Sequence, residues 1–318
     1  MTRRILALAG GVGGAKLALG LASALPPEQL TVAVNTADDF EHLGLSICPD
    51  LDTVMYTLAG VSNPETGWGR RDETWTVMEA LGQLGGETWF RLGDKDLATH
   101  IERTRRLRGG ESLSSVMRDL SVRLGVKPAL VPMSDDPVRT MVTTDQGELA
   151  FQDWFVRLRC EPAVKSVRFA GADTARAHPA LLDLDDLRGI VVCPSNPFVS
   201  VAPILAVPGV RSAFAQARAP RVAVTPIVGG QAIKGPAAKM LAELGHDVSA
   251  LGVARYYKEW VDGFVLDAQD KSLARDIEAL GVTVKVADTM MRNDADKRRL
   301  AAEVLEFVDE IAASGRHS

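Results

Sequence analysis

The chain has 318 residues, 46% hydrophobic and 24% charged, and 36 Lys and Arg against 41 Asp and Glu leave a net charge of −5. That balance argues against a general nucleic-acid binder, which needs a basic footprint, but not against an anionic small substrate met by a local cluster of cations and backbone N–H groups. Three widely spaced cysteines, Cys48, Cys160 and Cys193, form neither a disulfide framework nor a zinc pattern and point to a reduced, cytoplasmic compartment.

In chain order, residues 5–8 read as a strand and 16–25 as the helix after it. Arg3-Arg4 and the apolar stretch behind them imitate a signal peptide, but glycines and Lys16 interrupt it. Residues 30–34 read as a second strand, and Pro49 opens a helix to about Ala59. Residues 63–125 are helical and polar, which reads as an insertion beside the sheet, and their Arg103–Arg108 basic run reads as a solvated helix face. Further apolar runs lie at 129–132, 189–193, 222–225, 248–253, 264–266 and 282–286, with helical stretches at 237–244, 273–280 and 297–311. Residues 138–144 and 148–156 flank Asp145-Gln146-Gly147 and read as a β-hairpin. This alternation predicts an α/β fold with a mainly parallel sheet, and with no repeat or linker the chain, residues 1–318, reads as one domain. The apolar run at 190–210 is broken by Pro194, Pro197, Pro203 and Pro208, so no membrane-spanning helix fits.

The strongest local signal is Gly10-Gly11-Val12-Gly13-Gly14-Ala15-Lys16, between a strand and a helix. Glycines let the backbone approach an anion, and a helix N-terminus aims its N–H groups at it. The run fails the P-loop pattern, because Leu17 follows Lys16, and it fails the dinucleotide fingerprint, because Lys16 stands where Gly or Ala is needed. Two more loops after strands carry similar chemistry: Ser195-Asn196 between prolines, and Gly229-Gly230 with Lys234-Gly235-Pro236. Each alone reads as a turn; together, at strand ends, they favour a nucleotide or diphosphate site.

Carboxylates gather after the second strand as Asp38, Asp39, Asp50 and Asp52. Helix capping is one reading; the other is a Mg²⁺ site, with Asp39, Asp50 and Asp52 as candidate ligands that neutralise a diphosphate. Ser134, Asp135 and Asp136 form a third acidic loop, either a plain Asp-Pro turn or a recognition loop for a polyol or heterocycle. Arg91, between aromatic residues and Gly93, reads as part of an enclosed site. His42 and His100 read as surface or packing residues, and neither a HExxH zinc motif nor a Gly-x-Ser-x-Gly elbow is present.

Asn35-Thr36-Ala37-Asp38-Asp39, Pro49-Asp50-Leu51-Asp52-Thr53, Leu92-Gly93-Asp94, Met133-Ser134-Asp135-Asp136-Pro137 and Phe151-Gln152-Asp153-Trp154 follow the glycine run in order. With Pro194-Ser195-Asn196-Pro197, Lys234-Gly235-Pro236 and Asp288-Thr289-Met290-Met291 they cover nearly the whole chain. This pattern resembles the 2-phospho-L-lactate transferase family of coenzyme F-420 biosynthesis. The resemblance implies a Rossmann-like fold with helices on both faces, a homodimer and a Mg²⁺-dependent reaction. In it a phospholactyl-type group passes from a guanosine diphosphate diester to the ribityl hydroxyl of the deazaflavin Fo, and GMP leaves. It implies Fo contacts at Asp52 and Arg91, to which the Ser134, Asp135 and Asp136 loop adds candidates. The donor side would be Gly11, Gly13, Gly14, Lys16, Ser195, Asn196, Gly229, Gly230, Lys234 and Gly235, with Asp38, Asp39 or Asp52 as the base. Lactyl, enolpyruvyl and glyceryl donors stay open. The alternative is a non-enzymatic nucleotide-sugar-binding regulator of the related gluconeogenesis-factor family.

Overall fold

A computed structural model describes residues 3–315 of the chain. Strand β1 (Arg4–Ala9) leads into α1 (Gly11–Ala24), then β2 (Leu30–Val34), a short hairpin β3 (Phe40–His42) and β4 (Leu45–Ile47), and α2 (Pro49–Leu58). The 63–125 segment supplies α3 (Thr76–Gln83), α4 (Asp94–Arg108) and α5 (Leu113–Arg123). After β5 (Ala129–Pro132) come β6 (Arg139–Thr144), β7 (Gly147–Ala150) and β8 (Val164–Ala170), then β9 (Leu187–Val192), α6 (Ala202–Ala206) and α7 (Val210–Gln216). The chain continues through β10 (Arg221–Val224), a small hairpin β11 (Ile227–Val228) and β12 (Gln231–Ala232), α8 (Ala237–Glu243) and α9 (Ala250–Tyr257). It closes with β13 (Gly263–Asp267), α10 (Ala274–Glu278), β14 (Thr283–Ala287) and α11 (Asp294–Ala313).

Seven strands form one parallel sheet in the order β14-β13-β10-β9-β1-β2-β5. Alternation along β1 divides the core. Ile5, Ala7 and Ala9 pack with α1, α2 and α11, while Leu6 and Leu8 face a second core with α6, α7, α9 and the antiparallel sheet β7-β6-β8. Both faces are therefore covered, as a parallel sheet requires. The chain runs outward from β1 to β2 and β5, then returns to β9 on the other side. That reversal makes a crevice between the carboxyl ends of β1 and β9, where open α/β sheets bind ligands.

Several expectations need correction. The glycine run is not a loop before a helix: α1 begins at Gly11, so the glycines form its first turn. Residues 248–253 are not a strand, because the Ser249 side chain accepts the Gly252 N–H at 3.0 Å and caps α9. The hairpin's second strand stops at Ala150, and the chain then coils into a wide turn over Asp153–Arg157, closed by Leu158 N–H on Asp153 O at 2.8 Å. Strand β8 pairs with β6 instead and makes the hairpin a three-stranded sheet. The helix read at 273–280 is shortened to α10 by a tighter 3₁₀ turn over Ala268–Leu273. No single helix among the described residues is long and apolar enough to cross a membrane. The apolar stretch after β9 bends by 88° between Pro197–Ala206 and Val210–Gln216.

Candidate active site

A cavity of about 750 Å³ opens at the carboxyl end of the sheet. Its walls come from the segments after β1, β2, β9, β10 and β14, together with α2 and the 63–125 insertion. A volume of that order suits a small-molecule site.

The switch point is clasped by two loops. Ser195 Oγ accepts the Gly10 N–H at 3.0 Å and donates to the Gly10 carbonyl at 2.9 Å. Gly13 lies so close to the β9 loop that a Cβ there would stand 2.3 Å from the Pro194 carbonyl oxygen. Gly11, Gly13, Lys16, Ser195, Asn196, Lys234 and Gly235 all line the cavity. Lys16 Nζ donates to Met291 O at 3.0 Å, and Lys234 Nζ to Thr66 O at 2.8 Å. Burial, then the neighbouring charges of Lys234 and Lys297, lowers the Lys16 ammonium below its ordinary value. This wall gathers positive charge around the N-terminus of α1. Gly14 sits behind it, packed on Ser195 and Ala9. Gly229 and Gly230 also stand outside the lining, and Gly229 N–H is bonded to Asp270 Oδ2 at 3.0 Å.

The carboxylates fall into two groups. Asp50, in the first turn of α2, accepts Gly11 N–H at 2.7 Å on Oδ1 and Asn35 Nδ2–H at 3.0 Å on Oδ2. Burial pushes its carboxyl up to about 6. Burial, followed by the Asp50 charge, raises Asp38 well above the carboxylate range, and Asp38 Oδ1 has no hydrogen-bond partner. Both residues line the cavity. Asp39 is buried outside the lining, pushed up to about 8 by burial against the opposing Cys48 hydrogen bond and the Arg139 and Arg103 charges.

Asp52 belongs to the second group. Arg103 Nη1 and Nη2 donate to its two oxygens at 2.6 and 2.9 Å. The basic run is thus not a uniformly solvated face: Arg103 is 0% exposed, while Arg105 turns outward to pair with Glu102. Nearby, Tyr56 Oη donates to Asp96 Oδ1 at 2.7 Å, and His100 Nε2 stands 3.3 Å from the same oxygen. Burial pushes the Asp96 carboxyl up, and the adjacent His100 imidazole, the Tyr56 hydroxyl and the Arg103 charge outweigh it and hold Asp96 below its ordinary value. Asp96, His100 and Arg103 are spaced i, i+4 and i+7 on α4, a one-face stripe that could have marked them in the sequence. His42, by contrast, packs against Trp89 at 5.0 Å between ring centres.

Arg91, Trp89 and Phe90 line the other side of the cavity, with Phe151, Gln152 and Phe155 from the segment after β7. The Arg91 guanidinium lies 4.2 Å above the Trp75 ring. Ser134, Asp135 and Asp136 do not reach the cavity. Asp136 is gripped by Arg176, Ser134 Oγ donates to the Arg176 carbonyl at 2.8 Å, and Asp135 accepts the Ser114 N–H at 2.6 Å. That loop braces α5 and the 171–177 turn.

Comparison with known proteins agrees with this arrangement. Residues 5–306 match the family model described as 2-phospho-L-lactate transferase CofD. A phosphoenolpyruvate transferase of Streptomyces griseus is 43% identical over 317 residues, covering 98% of this chain and all of that one. A 2-phospho-L-lactate transferase of Methanosarcina mazei is 39% identical over 303 residues, covering 95% and 99%. Among solved structures, a UPF0052 family member from Bacillus halodurans shares the fold at a TM-score of 0.60 and 16% identity, covering 97% of this chain and 99% of that one. With ordered motifs, switch-point cavity and near-full-length match in agreement, the chain belongs to the 2-phospho-L-lactate transferase family.

Proposed function

We propose that the protein transfers a 2-phospholactyl-type group, lactyl, enolpyruvyl or glyceryl, from a guanosine diphosphate diester to the ribityl hydroxyl of Fo in coenzyme F-420 biosynthesis. The observation that carries this reading is the two-sided cavity. A cationic wall with a helix N-terminus suits a diphosphate, and an aromatic wall with Arg91 and polar groups suits a planar heterocycle bearing a polyol.

The hydroxyl oxygen attacks the phosphorus that carries the lactyl-type group through its 2-oxygen, the bond from that phosphorus to the bridging oxygen breaks, and GMP leaves with the electron pair. Lys16 and the N–H groups of the first α1 turn beyond Gly11, whose own N–H is held by Asp50, stabilise charge on the leaving phosphate. Asp38, raised by burial and with Oδ1 unpartnered, is suited to take the hydroxyl proton. The donor set fits Mg²⁺: Asp38 and Asp50 offer hard oxygens into the cavity, and a cation between them would offset the repulsion of the Asp50 charge on Asp38. When bound, the ion supplies charge neutralisation at the diphosphate. Asp52, filled by Arg103, is assigned to the acceptor rather than to the metal. Buried free thiols at Cys48 and Cys193 suit a reduced cytoplasm, and we extend the reading to a homodimer of single-domain subunits.

Incubation with Mg²⁺, Fo and each of the three guanosine donors is expected to yield GMP and a phosphorylated deazaflavin with at least one. No product from any donor, with tight binding of a nucleotide sugar, overturns the reading in favour of a regulator.

A further inference from the structure

The cavity rests on a buried network that the transfer chemistry above leaves unused. Arg103 itself does not line the cavity, yet four of its neighbours do: Asp52, His100, Asp96 and Tyr56. Its Nε and Nη2 also donate to the Ser46 carbonyl, at 3.1 and 3.0 Å, which fixes the guanidinium plane from the β4 side. Nη2 stands 2.7 Å from His100 Nδ1.

A guanidinium has only protons to offer and keeps them at any physiological pH. His100 Nδ1 therefore accepts, and the ring N–H falls to Nε2, which stands 3.3 Å from Asp96 Oδ1 without a hydrogen-bond partner. One arginine thus sets two things at once: the plane of the Asp52 carboxylate, held at both oxygens, and the tautomer of His100. Asp52, Asp96 and His100 also have ligand atoms within 4.8 Å of one another, the spacing of a metal site. Here the guanidinium fills the place of a cation, because it occupies both Asp52 oxygens and Nδ1.

We propose that Arg103 is a positioning residue for the acceptor half of the site: it orients Asp52 and fixes His100 as the Nε2–H tautomer, so that this wall offers a preset hydrogen-bond pattern to a neutral, hydroxyl-bearing acceptor. The proposal rests on the transferase reading for the identity of that acceptor. A planar, two-pronged donor is needed for this grip; an ammonium supplies charge without the fork.

Two measurements test it. In the ligand-free chain, ¹⁵N spectra of the imidazoles, with the His100 signals assigned by their loss in His100→Gln, are expected to show Nε2–H and unprotonated Nδ1 at neutral pH. An imidazolium, or the Nδ1–H tautomer, overturns the proposal whatever the protein's substrates. Arg103→Lys keeps the charge and is the variant for kinetics, with its fold checked by circular dichroism. It is expected to raise the KM for Fo about tenfold or more, leave the KM for the guanosine donor within about twofold, and abolish the single-tautomer pattern. Wild-type values for both substrates overturn the positioning role. Fluorescence titration of wild type with Fo separates the two readings: failure to bind Fo sinks the acceptor assignment, while the tautomer result still decides for or against the role of Arg103.

Discussion

The Gly11 N–H donates to Asp50 Oδ1 at 2.7 Å, so a carboxylate of the protein already occupies the first peptide of α1. An anionic donor meets that charge unless a cation lies between. Asp50→Asn keeps an oxygen for Gly11 but removes the charge. Its kcat is expected to fall by about 10²-fold or more, with a higher Mg²⁺ requirement and an unchanged circular dichroism spectrum. Undiminished turnover at limiting Mg²⁺ would remove Asp50 from the cation site.

Gly13→Ala sets a methyl group where the Pro194 carbonyl stands, at 2.3 Å from the new Cβ. Backbone cannot swing aside as a side-chain tip can, so the two switch-point loops must separate. Donor affinity is expected to drop more than about tenfold, roughly 1.4 kcal/mol, with a lower Tm. Calorimetric titration with GMP and a thermal melt read both effects, and wild-type values for the two would show that the clasp is dispensable.

Lys16 is the cation set closest along the chain to the glycine turn, and its ammonium reaches across to Met291 O. A charge-assisted contact contributes about 1.5–3 kcal/mol. Lys16→Met should therefore weaken the donor about tenfold to a hundredfold while Fo binding stays as it was. Equal losses for both substrates would mean general damage to the site.

Burial raises the Asp39 carboxyl to about 8 from an ordinary 3.8, so folding takes up a proton between those values. The folded pKa exceeds the unfolded one. Its stabilisation is therefore full below the unfolded value and is lost as pH rises through the folded value. Without Mg²⁺, the Tm of the wild type should fall from about pH 5 to about pH 8, and that of Asp39→Asn should fall less. Parallel Tm curves would show that Asp39 does not titrate in this window.

Asp135→Ala and Asp136→Ala touch a brace, not the cavity. Both should leave the KM for Fo within about twofold, since exposed ion pairs contribute about 0–1 kcal/mol. Arg91→Ala should raise it about tenfold. The reverse ranking would return the acidic loop to the acceptor site.

The central strands of the parallel sheet were legible because both faces are buried, so each reads as a short apolar run. The second half of the antiparallel sheet was not. In β8 the exposed Lys165 and Ser166 interrupt the apolar pattern, while Phe151 to Val156 look like a strand but coil into a turn that buries Trp154. The glycine run marked one wall of the cavity, because Gly11 and Gly13 line it in the first turn of α1. Arg103 was hidden for the opposite reason: it sits in a basic run, and only the rotation of a helix tells an inward arginine from its outward neighbours. The acidic loop at 134–136 lies outside the cavity lining, and in a sequence carboxylates beside a proline look alike whether they face a ligand or a neighbouring Arg176.

The ties that close the cavity join distant parts of the polypeptide: Gly10 to Ser195, 185 positions apart, and Lys16 to Met291, 275 positions apart. Contacts of such separation form late, after loop-closure entropy has been overcome. During synthesis the glycine turn emerges first and waits for nearly the whole remaining chain before its opposite wall exists. A complete cavity is therefore a property of the finished molecule, and a ligand that needs both walls, titrated into a refolding reaction, would count completed molecules rather than partly folded ones.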